Sequence, residues 1–235
     1  MAFSRSTTSG GRPDAESLTR AMAGIGMNFA ARHDPDAPIE ETLVFASELG
    51  MDEQDLRVLA VLSTWIGVHH GRVNADRLVR LLVQPRSTRV RAYWAAVAKW
   101  LSKDRRFSRL LSLHGGVPVE LLPVGTKFQV SRRGEDERFA GSSLMVPAGT
   151  LRDRSTDVLG AGALARRHPG YRNRVLMGPT WRADVWTILE QDPGLSVAEA
   201  ARRVGCSFAT AWQVVQDYRL LREAQPGPAV VAGVA

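Results

Sequence analysis

The chain has 235 residues, and 31 Lys and Arg against 24 Asp and Glu leave it a formal charge of +7. A surplus of that size points to a polyanionic partner, most often nucleic acid, with an arginine-favouring codon bias as the alternative source. The single cysteine, Cys206, excludes a disulfide framework or a cysteine zinc site within one chain, and no apolar run reaches membrane-spanning length, so a cytoplasmic protein without membrane contact is expected.

Residues 1–38 read as a loosely ordered arm, rich in Ser, Thr, Gly and Arg at first and then broken by Gly and Pro. From Ile39 the pattern turns helical. IEETLVFASELG places acids at its start and Gly50 at its end. Asp52 is the expected cap of a longer helix through Leu59, Leu62 and Ile66, which ends near Gly71. Asn74 should cap ADRLVRLLV, and Ser87 or Thr88 should cap RVRAYWAAVAKWL, with Tyr93 outward. Beyond it, KFQV and SLMVP flank the charged loop SRRGEDERFAG and predict a β-hairpin. Helices followed by a hairpin give a winged-helix-like domain over 39–147, a basic connector over 148–178, a helical domain over 179–224 and a loose tail over 225–235. The fold class expected is mainly α with a small β wing.

Charge is distributed unevenly along this order. Asp34 to Leu56 holds eight acids and no Lys or Arg. Arg72 to Arg109 holds eleven basic residues and two acids. The candidate phosphate contacts are therefore Arg86, Ser87, Arg89, Arg91, Lys99, Lys103, Arg105 and Arg106, with Arg132 and Arg133 on the tip of the expected wing. The competing reading is that these arginines neutralise the acidic stretch or meet an acidic protein.

In the C-terminal quarter, VAEAARRVGCSFATAWQVVQ (197–216) reads as two helices around a glycine, with Ser196 and Glu199 spaced as a capping box. This segment resembles the helix-turn-helix of bacterial transcription regulators. The resemblance implies that Ala201 is the small residue where the two helices cross and that Gly205 opens the turn. Ala200, Val204, Cys206, Ala211 and Val214 would face inward. It further implies that Ser207, Phe208, Ala209, Trp212, Gln213 and Gln216 enter the major groove as base-reading candidates, with Arg202 and Arg203 against phosphates. Phe208 and Trp212 are unusual there, and burial against protein is their alternative. The overall layout also loosely resembles antitoxins that accompany nucleotidyltransferase toxins.

The expected function is sequence-specific regulation of transcription by occupancy of an operator on double-stranded DNA, as a homodimer. The alternatives are an antitoxin-type module with a toxin partner and a non-specific nucleic-acid-binding protein. No catalytic motif, metal-ligand spacing or cofactor fingerprint stands out, so neither an enzyme nor a metal or cofactor is expected.

Overall fold

A computed structural model describes residues 13–224. The chain divides into two compact units, at His168 and Pro169. The expected flexible tail over 225–235 and the first twelve residues of the expected arm lie outside the described residues.

The first unit is helical, with α1 (Ala15–Gly24), α2 (Ile39–Asp52), α3 (Leu56–His69), α4 (Ala75–Val83) and α5 (Thr88–Trp100). A 3-10 helix, Arg105–Leu113, follows, and α6 (Thr126–Arg133) and α7 (Ala161–Arg167) complete the helices. Short polar side chains start them as local chemistry requires. Asp55 accepts the Val58 N–H at 2.9 Å, Asn74 that of Arg77 at 3.2 Å and Ser87 that of Val90 at 3.1 Å. The α3 cap is thus Asp55 rather than Asp52, after a link through Gln54 in the left-handed region. α3 runs into a 3-10 turn, His70–Arg72, in which Gly71 does not take the left-handed conformation. Helix α2 packs on α1, α3, α4 and α5. Trp65, Trp94, Tyr93, Phe107 and Phe139 are the largest buried side chains of this unit. The indole N–H groups find partners inside, Trp65 donating to the Ile25 carbonyl at 2.7 Å and Trp94 to Ser47 Oγ at 2.9 Å. Tyr93 is buried rather than outward: its hydroxyl lies 3.2 Å from Ser63 Oγ, and burial pushes its pKa upward.

From Ala15 onward the expected loose arm is instead an ordered part of the core. Asp14 caps α1, and Leu18, Met22, Ile25 and Met27 are buried. The glycines read as breakers serve close packing. A Cβ at Gly24 would stand 1.9 Å from the Asp34 carbonyl oxygen. We expect Gly24→Ala to destabilise this unit by about 3 kcal/mol, at the upper end for overpacking of a core, measured as a fall in the urea midpoint.

The expected hairpin does not form. TKFQVSRR is the eight-residue helix α6, bracketed by Gly125 and Gly134 at φ +82° and +78°. Its alternation of Phe128 and Val130 did not report a buried sheet face, because Phe128 is exposed. Leu144–Met145 (β2) pairs instead in parallel with Val119–Glu120 (β1), Val119 opposite Leu144. Only Pro147, at the end of the second flank, makes an antiparallel bridge here, to Glu135 of the expected loop. The described residues are therefore mainly α, with a two-stranded parallel sheet in place of a wing.

His69 is buried and lies 2.9 Å from the Leu159 carbonyl through Nε2. Desolvation holds its pKa below the ordinary 6.5, against the opposing effect of that hydrogen bond. The unfolded chain therefore binds the proton first as the pH falls. Stability is lost as the pH drops below about 6.5. Urea unfolding at pH 7 and pH 5.5 should show that loss, and His69→Gln should reduce it.

The second unit begins with α8 (Pro169–Met177), drawn from the expected connector, and continues with α9 (Trp181–Gln191), α10 (Val197–Val204) and α11 (Phe208–Ala224). Pro169 stands at the first helical position, where its missing N–H costs nothing. Val185, Leu189, Leu195, Ala200, Ala201, Val204, Ala211, Val214, Val215 and Tyr218 form the core. Trp186 meets Tyr218 edge-on at 5.0 Å. Arg174 of α8 and Asp184 of α9 form a buried ion pair, with Nε 2.9 Å and one terminal nitrogen 2.7 Å from the same carboxylate oxygen.

Candidate nucleic-acid interface

The α10–α11 segment is built from its caps inward. Ser196 Oγ accepts the Glu199 N–H at 3.2 Å and starts α10. The reciprocal half of the capping box is not made, because the Glu199 carboxylate turns to Arg202 (2.9 and 2.7 Å) and Arg203 (2.7 Å). Those hydrogen bonds, Arg202 first, bring the Glu199 pKa down to about 2. Gly205 ends α10 at φ +78°, a conformation that costs glycine little. The N–H groups of Gly205 and Cys206 both donate to the Ala201 carbonyl, at 2.8 and 3.1 Å. Ser207 Oγ then accepts the Thr210 N–H at 3.1 Å and caps α11.

Two faces of α11 result. Ala211, Val214, Val215 and Tyr218 are buried, with Ala200, Ala201 and Val204 of α10, while Cys206 is half-buried. Ser207, Phe208, Ala209, Trp212, Gln213 and Gln216 are all exposed. Phe208 and Trp212 keep 58% and 52% of their surface open to solvent, large values for aromatic side chains. The Ser207 hydroxyl is committed to the cap and to Thr210 Oγ1 at 2.9 Å. The exposed Arg202 and Arg203 stand on α10, each bound to Glu199.

The basic stretch of the first unit has a different fate. Arg86 pairs with Glu48 of α2, and both side chains are largely buried. Arg89 donates to the carbonyls of Met51 (2.7 Å), Glu120 (3.1 Å) and Leu121 (2.7 Å). Ser87 caps α5 and donates to Asp52 at 2.6 Å. Arg77 binds Glu41 at 2.7 Å. Arg106 is held by Asp104 and by the carbonyls of Val73 and His70, and Lys99 by the Gly141 carbonyl. Much of the charge contrast along the sequence is thus consumed in tying α2 to α4 and α5. Arg91, Lys103, Arg105, Arg132 and Arg133 stay exposed, Arg132 with its guanidinium carbon 5.7 Å from the centre of the Phe128 ring. Arg132 and Arg133 occupy the last turn of α6, not a wing tip.

Sequence reasoning missed the fixed position of Phe128 on an exposed helix and the buried pairing of Arg174, which looked like one more cation of a basic connector. Pro169 was the local signal for α8. Among the described residues no group of three His, Cys, Asp or Glu could hold a metal ion, and no helix is long and apolar enough to cross a membrane. Comparison of the chain with protein-family models, curated proteins and solved structures found no match.

Proposed function

We propose that this protein is a sequence-specific, double-stranded-DNA-binding regulator of transcription of the helix-turn-helix type, which acts as a dimer by occupying an operator. The observation that carries this reading is the outward face of α11. Phe208, Ala209, Trp212, Gln213 and Gln216 stand exposed on a helix whose opposite face is locked into a core. Two cations on α10 flank it. A helix held in this way can enter a major groove, with side chains meeting base edges and flanking cations meeting phosphates. Arg202 and Arg203 would exchange Glu199 for phosphate oxygens on binding. The exposed Arg91, Lys103 and Arg105 add positive field that draws DNA without reading it.

A second reading draws on the same helix. Leu220 and Leu221 are exposed along with Phe208 and Trp212, and such side chains also suit a protein partner such as a toxin.

Anisotropy of the full-length protein on random duplex and single-stranded DNA across a salt series separates the two. On the DNA reading, duplex affinity falls steeply with salt. On a duplex selected from a random pool, Trp212→Ala or Gln213→Ala should then weaken binding by roughly tenfold, the scale of one good base contact, with an unchanged circular dichroism spectrum. Absence of duplex binding at low salt would reject this reading and favour the protein partner.

A further inference from the structure

We propose that the outward face of α11 selects A·T base pairs, through thymine methyl groups and adenine major-groove edges. This inference rests on the DNA-binding reading above. Its basis is the chemistry of the exposed side chains, taken turn by turn. Phe208 and Ala209 stand on the first turn, Trp212 and Gln213 on the second and Gln216 on the third. Residues four apart share a face, so Phe208, Trp212 and Gln216 form one row and Ala209 and Gln213 another.

Each base offers this surface something different. Thymine carries the one methyl group in the major groove, and apolar side chains lose water against it. Phe208, Ala209 and Trp212 are such side chains. Adenine presents an N6 donor beside an N7 acceptor, the pattern that a primary amide matches with its own oxygen and nitrogen. Gln213 and Gln216 carry that amide.

Guanine and cytosine find no counterpart. Guanine shows two acceptors, O6 and N7, and calls for the paired donors of a guanidinium or an ammonium. The stretch Phe208 to Gln216 contains no Arg or Lys. The cytosine N4 amino group calls for a carboxylate acceptor, and the same stretch contains no Asp or Glu. Asp217, the next residue, is paired with Arg182 at 2.7 Å. The cations stand outside the stretch Phe208 to Gln216, at Arg202 and Arg203 on α10 and at exposed Arg219 and Arg222 farther along α11, where phosphates rather than bases would meet them. Positive flanks around a neutral, half-apolar centre suit a duplex whose central pairs bear methyl groups.

The test begins with selection of duplexes from a random pool by the full-length protein. The selected core should be rich in A·T pairs. Replacing its thymines by uracil removes only the methyl groups and should weaken binding several-fold. That penalty should vanish in Trp212→Ala or Phe208→Ala. Replacing its adenines by 7-deazaadenine removes the N7 acceptor and should weaken binding by roughly fivefold to a hundredfold per paired contact, with the effect lost in Gln213→Ala or Gln216→Ala. A G·C core, or affinity indifferent to both replacements, would overturn the A·T inference and leave DNA binding standing. No binding to any duplex would remove the DNA reading and this inference with it.

Discussion

Asp184→Ala should unfold the second unit under conditions in which the parent protein is folded. Arg174 and Asp184 retain only 3% and 7% of their side-chain exposure. Removing the carboxylate takes this counter-charge from a buried guanidinium, at a cost of about 3–5 kcal/mol for a buried pair broken on one side. A small domain commonly has only about 5–15 kcal/mol in total. The loss should appear in far-UV circular dichroism as helix melting at much lower urea, and duplex binding should fall with it, since α11 no longer has a core to stand on. The double variant Arg174→Met, Asp184→Leu discriminates between lost attraction and the penalty on the guanidinium left behind. Replacing both partners by apolar residues of similar volume is often neutral, so the double variant should recover most of the stability. A double variant as unstable as Asp184→Ala would show that the pair's hydrogen-bond geometry, not the penalty of a lost counter-charge, holds α8 to α9.

Features written in a few adjacent residues were legible in the sequence. The caps at Asn74, Ser87 and Ser196, the left-handed turn at Gly205 and the two faces of α11 all lie where composition and helical period place them. Each depends on neighbours within one or two turns. What was not legible depends on distant parts of the chain. Gly24 looked like a breaker because its reason for being glycine, the Asp34 carbonyl, is set by how the chain returns on itself. The alternation in KFQV looked like a strand because period cannot reveal which face has a partner; Phe128 has little cover and the segment is α6. The arginines were the hardest. Arg86, Arg89 and Arg91 lie within one short stretch, yet the first is buried on Glu48, the second clasps three carbonyls and the third faces water. Sequence shows that a cation exists and not where its counter-charge will be.

Arg89→Ala should destabilise the first unit by about 3 kcal/mol, and it should do so without touching DNA. Its guanidinium donates to Met51 at the end of α2 and to Glu120 and Leu121 at β1, so one side chain joins three segments. Hydrogen bonds to a charged group contribute about 1.5–3 kcal/mol each and are not additive. Their loss also leaves three carbonyls to find new donors. Salt separates this role from phosphate contact. A phosphate-binding arginine, once removed, lowers the slope of log affinity against log salt by about one. Arg89→Ala, measured well below its lowered melting temperature, should leave that slope unchanged. Exposed Arg91, Lys103 and Arg105 carry the converse expectation. Alanine at each should alter stability by less than about 0.5 kcal/mol, as for other surface sites, while any of them that meets phosphate should flatten the slope. A variant that removed Arg86, Arg89 and Arg106 together with Arg91 and Arg105 would change stability and phosphate contact at once, because Arg86 and Arg89 are built into the first unit. Only single substitutions, with unfolding and salt slope measured on the same samples, tell the cations that hold α2 against α4 and α5 from those that face a polyanion.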